Sequence, residues 1–351
     1  MPPPGAPLRL VAPDDRWLAG RRPFVGLLAE AAADLGGRLE MEETFAHVGR
    51  YIAPDGRVRP VFGNALGLNP DAAAQLSADK DYTARLLAAR GLPAIPGLLV
   101  FSPRYAARMR LKNAAVAASL PGAAAAQEFA AATEGPVIAK PNAGSEGRGI
   151  RLATTTEELA ADLDALFASD DRVRIEPFVP GTDARLLVLD GKVRLAYARH
   201  PVGVTGDGRR TLAGLIAALR LDLAARHRGA KIDPADPALL RRLVAQGIGP
   251  DDVPERGRRI VLLPNANLST GGAPEDLTAR LAPGTERRAI DAAETLGLRL
   301  AGVDILAPDP VRDAGAATIL EVNASPGLDH YASAGPGHRA AARSLLRDAL
   351  S

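Results

Sequence analysis

Two short segments near the C-terminus hold the side chains best suited to chemistry: GVDIL, with Asp304, and ILEVNASPG, with Glu321 and Asn323. In an extended segment residues i and i+2 point to the same side. Glu321 and Asn323 therefore project from one face, with Val322 packed behind, and Asp304 joins them if the two strands pair. Three oxygen ligands of this kind suit Mg²⁺, which binds through carboxylates and substrate phosphates while keeping waters. The plainer alternative is a set of polar positions on a half-exposed sheet. The flanking apolar residues and the small-residue turn Ala324–Gly327 favour the metal.

A second constellation is VIAKPNAGSEGRGI, residues 137–150. Only five of the 43 basic residues are lysines, so Lys140 at a strand end stands out. The loop after it holds Gly144, Ser145, Gly147 and Gly149. Glycines let backbone N–H groups approach phosphate oxygens, and a lysine adds a point charge. The loop lacks the G-K-[ST] ending of a Walker loop, and no G-x-G-x-x-G opens a helix. A Gly-rich turn alone is more often a hairpin; the rare lysine is what raises it.

Three further segments are weaker. RIEPFVPGTDARLLV contains Glu176, an extended link Pro177-Phe178-Val179 with backbone groups that can pair with an adenine edge, and Asp183, able to accept from ribose hydroxyls. On these residues alone it reads as a strand with a turn. ARHPVGVTGDGRRTLAGLI contains Arg199 and His200 before a Gly-rich turn; for His200 a structural hydrogen bond is favoured over a general base. NANLSTGG offers Asn267, Ser269, Thr270 and Gly271, a polar loop able to hold a phosphate or carboxylate, or only a turn.

The elements that must position these residues alternate irregularly. Helices are expected over 23–35 and from an Ser77 N-cap to Ala89, where Gly91 and Pro93 stop the second. Strands are expected at 57–62 and 98–101. Ala-rich helices fill 103–134, with Arg104, Arg108, Arg110 and Lys112 read as a solvated face rather than a rim for an anion. Thr155 with Glu158 forms a capping box opening a helix to Phe167. A strand over 172–179 precedes strands 185–189 and 192–198, which Asp190-Gly191 joins as a hairpin. Helices at 211–228 and 239–245, a strand at 259–263, a helix at 285–296, strands at 303–306 and 318–322 and a closing helix at 338–349 complete an α+β pattern.

Composition limits the function classes. With 351 residues, 47% of them hydrophobic, the chain has material for two or three domains. Its 43 basic and 41 acidic residues nearly balance, and no basic block with interleaved aromatics marks a nucleic-acid site. No run approaches the roughly 18 apolar residues of a membrane span, and the N-terminus lacks the order of a signal peptide. Without cysteine, thiolate zinc sites and Cys nucleophiles are excluded. A cytoplasmic protein is expected.

Taken in order, KPNAGSEGRGI, IEPFVPGTDARLLVLDGKV, RHPVGVTGDGRRTLAGLI, NLSTGG, GVDIL and EVNASPGLDH resemble the ATP-grasp superfamily over about residues 78–350. The resemblance is nearest to the ATP-grasp part of cyanophycin synthetases, and looser to glutathione-synthetase-like and ribosomal-protein-S6-modifying ligases. It implies an ATP-grasp fold in which two α+β subdomains clamp ATP. The boundaries expected are a small α/β N-terminal domain over 1–78 that shapes the substrate pocket, a central subdomain over 79–170 and a C-terminal subdomain over 171–351.

The resemblance also implies roles. Lys140 and the 144–149 loop bind phosphates, Glu176–Val179 is the adenine hinge and Asp183 binds ribose. Asp304, Glu321 and Asn323 hold two Mg²⁺, with Mn²⁺ an alternative. Arg185 and Arg199 are catalytic, and Asn267, Ser269, Thr270, Gly271, Ser325 and Gly327 line the substrate region. The reaction implied joins a small-molecule carboxylate to an amine through an acyl-phosphate, in an enzyme that is often a homodimer. A non-amine acceptor, a small-molecule kinase and a non-catalytic nucleotide-binding module are the alternatives.

The sequence departs from the family in places. Where members carry a second ATP-binding lysine in DK-x-x-TK, this chain reads DKDYTARLL, with Lys80 present, Ala84 at the later position and Arg85 beside it. Either Arg85 substitutes or nucleotide affinity differs. The Mur-ligase-like half of cyanophycin synthetases is absent from these 351 residues, so a complete cyanophycin synthetase is not expected.

Overall fold

The computed structural model describes residues 7–144, 147–225, 232–263, 266, 268, 272–312, 315 and 317–351. The chain begins with β1 (Leu10–Val11), α1 (Asp15–Leu18), α2 (Pro23–Asp34), β2 (Arg38–Glu42), β3 (Val48–Ile52) and β4 (Val58–Phe62). Next come α3 (Asp71–Ala78), α4 (Lys80–Ala89), β5 (Leu98–Phe101), α5 (Pro103–Lys112), α6 (Ala114–Ala118), α7 (Ala123–Ala132), β6 (Val137–Pro141), β7 (Arg151–Ala153), α8 (Thr156–Ser169) and β8 (Arg172–Pro177). The remainder is β9 (Thr182–Leu189), β10 (Lys192–His200), β11 (Gly203–Thr205), α9 (Leu212–Ala225), α10 (Pro237–Ala245), β12 (Arg259–Val261), β13 (Ala273–Asp276), α11 (Pro283–Thr295), β14 (Leu300–Ala307), β15 (Thr318–Asn323), α12 (Asp329–Ala332) and α13 (Pro336–Leu350).

The central element is a five-stranded antiparallel sheet in the order β13-β10-β9-β14-β15. Its hairpin β9–β10 turns at Asp190-Gly191, both at positive φ (47° and 73°). That geometry matches the twist of the flanking strands and requires the Asp-Gly pair seen in the sequence. Side chains alternate along each strand, and here both faces are covered. Ala184, Leu186, Val188, Val303 and Ile305 face one way, onto Ala289, Ala292 and Ala293 of α11 and Leu87 of α4. Leu187, Leu189, Leu195, Tyr197 and Leu300 face the other way, into a core shared with Phe24, Leu27 and Leu28 of α2, Met41, Tyr51 and Val61 of the first sheet, and Leu345 and Leu346 of α13.

That second core crosses residue 78. The N-terminal sheet β1-β2-β3-β4 is an antiparallel meander rather than an α/β unit. It closes over the five-stranded sheet with α13, which is tied to α2 by Arg339–Glu30 and Arg343–Asp34. Asn69 fastens the same junction: it donates to Leu300 O (2.7 Å) and Ala324 O (2.8 Å) and accepts from Arg299 N (2.8 Å).

A four-stranded antiparallel sheet, β5-β8-β6-β7, carries α7 and α8 on one face over Val100, Val137, Ala139, Val173 and Ile175. β8 thus belongs with β5 and β6, although it lies beyond residue 170. Residues 202–225 and 232–262 form an insert between β10 and β13, with β11 and β12 paired and a core of its own from Val202, Leu212, Leu215, Leu239, Leu243 and Ile260.

One expected helix start shifts. The helix expected from Ser77 is two helices broken at Asp79, whose carboxylate accepts from Tyr82 N (3.0 Å) and caps α4. Ser77 is buried instead, donating to Ala74 O (2.8 Å). Thr155 caps α8 as expected, accepting from Glu158 N (3.2 Å), and the Glu158 carboxylate reaches back to accept from Thr154 N (2.8 Å) as well. Among the described residues no helix is long and apolar enough to cross a membrane.

Candidate active site

The five-stranded sheet and the β5-β8-β6-β7 sheet present polar faces to one cavity of about 420 Å³. On β9 the outward sequence is Asp183, Arg185, Leu187, Leu189. The apolar half of this face lies under the N-terminal sheet, and the polar half is left to the cavity. β10 continues with Arg199, β14 with Asp304, and β15 with Glu321 and Asn323. On the opposite wall the inner faces of β6 and β8 bury Val137, Ala139, Val173 and Ile175 under α8, so Lys140, Arg174 and Glu176 point the other way. Period-two alternation in two sheets thus accounts for the charged groups that the strands bring to the cavity.

Antiparallel pairing of β14 and β15 sets Asp304 directly opposite Glu321, the hairpin arrangement expected from sequence. Asn323 donates to Glu321 Oε1 (2.9 Å). The Asp304 carboxylate, only 2% exposed, is gripped by arginines instead of standing open. Arg185 donates to both oxygens at 2.6 Å, and Arg199 Nη2 lies 2.9 Å from Oδ2. Burial pushes the Asp304 carboxyl up, but Arg185 and Arg199 outweigh it and hold the group below its ordinary value. Asp183 is the other half of this cluster. It accepts from Arg199 Nε (3.0 Å) and Nη2 (2.6 Å) on one oxygen, yet burial, with Asp304 nearby, leaves its carboxyl raised.

A divalent cation needs oxygen donors, and the chemistry of this set fits one. Glu321 lines the cavity wall, and Asn323 beside it is partly exposed. The carboxylate of Asp304 has about four lone-pair directions, three of which these arginine bonds take, leaving one on Oδ1. Among the described residues no three carboxylate or imidazole groups converge as a finished metal cage. The third donor here is an amide.

The opposite wall is a buried ion network. Lys140 donates to Glu176 Oε1, and Arg174 Nε donates to Glu176 Oε2 (3.2 Å). Arg174 also bonds Asp81 and Ile95 O (2.8 Å). The Phe178 N–H is taken by Pro136 O (2.9 Å), so it is not open to an adenine edge; Phe178 and Val179 still line the cavity. Gly144, Gly147 and Gly149 all have positive φ, and a Cβ on Gly149 would lie 3.0 Å from the Pro141 ring. Only glycine takes that path without strain.

The sequence reading gave no site role to Lys80, Arg174 or Asp81. Lys80 lines the cavity, donates to Gly144 O (2.8 Å) and lies 3.6 Å from Glu321, so it links the glycine loop to the opposite sheet. The scarcity of lysine was the available signal. Arg85 does not take up that position: it is exposed, 3.5 Å from Asp81 and over the Tyr82 ring. His200 lines the cavity rim and pairs with Glu275 (3.2 Å), as the structural reading expected. Ser325 and Gly327 are exposed and do not line the cavity; Gly327 lies beside Asn64 of the N-terminal segment. Ser145, Asn267, Ser269, Thr270 and Gly271 fall outside the described residues.

Two antiparallel sheets enclosing a cavity of basic, acidic and glycine-loop groups make the fold that of the ATP-grasp ligases. Residues 264–337 match the family model of the RimK-like ATP-grasp domain. The chain is 33% identical over 214 residues to the glutathione biosynthesis bifunctional protein GshAB of Enterococcus faecalis, covering 58% of this chain and 28% of that protein. It is 33% identical over 214 residues to the cyanophycin synthetase of Crocosphaera subtropica, covering 58% of this chain and 24% of that protein. It therefore spans about a quarter of the length of these relatives. A bifunctional glutathione synthetase from Pasteurella multocida superposes with a TM-score of 0.56 at 20% identity, over 94% of this chain and 44% of that one.

Proposed function

We propose that this chain is an ATP-dependent carboxylate–amine ligase, forming an amide bond by way of an acyl-phosphate. The observation that carries the reading is the facing of two walls across one cavity: Lys140, Glu176 and the Phe178-Val179 link on one sheet, and Asp304 and Glu321 on the other, with Lys80 between them. Phosphoryl transfer is mostly positioning and charge neutralisation, and these groups supply both. Similarity to proteins named for glutathione and cyanophycin synthesis supports an amino acid or small peptide as substrate.

Within that reading, adenine lies along Pro177–Val179, and Lys140, Lys80 and the loop carrying Gly144, Gly147 and Gly149 take the phosphates. Asp304, Glu321 and Asn323 would hold the divalent ions, Mg²⁺ or Mn²⁺, whose charge would shield the phosphate oxygens. Arg185 and Arg199 keep Asp304 ionised and oriented. They also present cationic groups to a carboxylate or acyl-phosphate at the sheet surface. The acyl-phosphate is sensitive to water, and a glycine loop closing over the cavity protects it.

The test is ADP release with pooled amino acids and short peptides, followed by the mass of the product. Release that needs both an acid and an amine, with a product lighter by one water than their sum, supports the ligase. A phosphorylated product, or ATP binding without turnover under any pair, counts against it.

A further inference from the structure

A second cavity, of about 480 Å³, adjoins the first on the far side of the glycine loop. Gly147, Arg148, Ile150 and Arg242 line both, so these residues stand between the two cavities. Arg148 comes from the loop. Arg242 comes from α10 of the insert, which the sequence reading connected with no chemistry.

The two arginines differ from the other cations of the main cavity. Lys140 is held by Glu176, Lys80 lies against Gly144 O and near Glu321, and Arg199 is shared by Asp183 and Asp304. The guanidinium groups of Arg148 and Arg242 have no hydrogen-bond or carboxylate partner among the described residues. Five cationic and four anionic side chains line the main cavity. Without Arg148 and Arg242 the lining would carry one net negative charge, which repels a polyphosphate. With them it carries one net positive charge.

Arg242 is also held in place. Asp236 caps α10, accepting from Ala238 N (2.9 Å), and the same carboxylate takes Arg151 of β7 (3.1 Å). Arg241, the adjacent residue, reaches Asp162 (3.3 Å) and Glu158 (3.5 Å) on α8. These pairs fasten the insert helix to the sheet that carries the glycine loop. Arg242, one residue on, lines both cavities, where burial alone acts on its guanidinium and lowers its pKa.

We propose that Arg242 is a phosphate-binding residue supplied by the insert, engaging the polyphosphate of the nucleotide from the side of the glycine loop opposite Lys140. The proposal rests on the nucleotide-binding part of the ligase reading, but not on turnover. An arginine presents a planar fork that bonds two phosphate oxygens at once, and such bonds are among the stronger hydrogen bonds.

The experiment measures the affinity of the full chain for ATP, inorganic tripolyphosphate and adenosine by calorimetry, in wild type, Arg242→Ala and Arg242→Lys. The expected result is that Arg242→Ala weakens ATP and tripolyphosphate about tenfold or more. Adenosine affinity and melting temperature should stay as in wild type, and Arg242→Lys should recover part of the loss. Unchanged ATP and tripolyphosphate affinity in Arg242→Ala overturns the assignment, as does an equal loss for adenosine, which would mean a structural role. If the wild type binds tripolyphosphate but not ATP, the nucleotide reading fails while the role of Arg242 is still decided by the tripolyphosphate arm. If it binds neither, both fail.

Discussion

Asp304 on β14 and Arg185 on β9 stand opposite each other in register and share two hydrogen bonds of 2.6 Å. Arg199 joins from the next strand, 2.9 Å from the same carboxylate. The residue expected to act as a metal ligand is thus also the counter-ion that lets two arginines sit in a sheet interior. Substituting it will report on both roles at once, unless the two are separated by the choice of side chain.

Asp304→Ala leaves two buried guanidinium groups short of their shared carboxylate. Breaking a buried pair in this way costs about 3–5 kcal/mol, and here Asp183 remains to Arg199, so the lower end is expected. Asp304→Asn keeps the shape and one acceptor oxygen, but loses the charge and replaces the other oxygen with a donor. Thermal unfolding should show the larger drop for Ala, while ADP release should be abolished in both. Full activity in Asp304→Asn would sink the metal assignment.

Lys80→Ala should weaken nucleotide binding roughly tenfold, the scale of one charge-assisted contact. The melting temperature should barely move, because among the described residues the Lys80 side chain bonds a loop carbonyl and lies at ion-pair distance from Glu321. Arg85→Ala, on the exposed face of α4, should leave affinity unchanged. The reverse ranking would return the second cationic role to Arg85.

Gly97 lies against the network behind Glu176. A Cβ there would meet Arg174 Cζ at 2.7 Å and Ile175 O at 2.7 Å. Gly97→Ala should therefore push Arg174 off Asp81 and Glu176 and destabilise the fold by about 1–3 kcal/mol. Because Glu176 also holds Lys140, ATP affinity should fall alongside stability. A loss of stability with ATP affinity intact would show that the network serves folding alone.

Asp171 accepts from the Ser102 hydroxyl first, and then, against mild desolvation, from Arg104 and Arg108, which holds its carboxyl at about 2, below the ordinary 3.8. A depressed carboxyl contributes its stability above the unfolded value and loses it as pH falls through the folded one. The gap in melting temperature between wild type and Asp171→Asn should be full at pH 5 and close between about pH 4 and pH 2. A gap that does not change over that window refutes the linkage.

Deleting residues 1–78 should not yield a folded remainder. It would uncover Leu187, Leu195, Tyr197, Leu345 and Leu346, which the N-terminal sheet and α2 now bury. Apolar surface of that extent drives aggregation. A soluble, cooperatively melting truncation would establish the N-terminal segment as a separate domain.

Much of this was legible locally. Asp183-Arg185-Leu187-Leu189 already shows a strand whose one face changes from polar to apolar, and Glu321 and Asn323 share a side by period two alone. Lys140 and the glycines of its loop mark a backbone that only glycine can follow. Asp190-Gly191 specifies its hairpin through two positive φ values. These features depend on neighbours in the chain, so the sequence by itself determines them.

Other features exist only because apolar faces distant in sequence are buried together. The first sheet and α13 close over the five-stranded sheet through a core that periodicity could not assign to a partner. Residues 202–225 and 232–262 gather a core of their own, although their helices and strands read singly as loosely spaced pieces. Arg174 meets Asp81 across 93 positions, and Asp304 meets Arg185 across 119. Alternation tells which way a side chain points. It does not tell what waits there, and for a buried charge the partner decides whether it is an open ligand or a neutralised pair. That decision, for Asp304, Arg199 and Arg242 alike, was made by the tertiary structure.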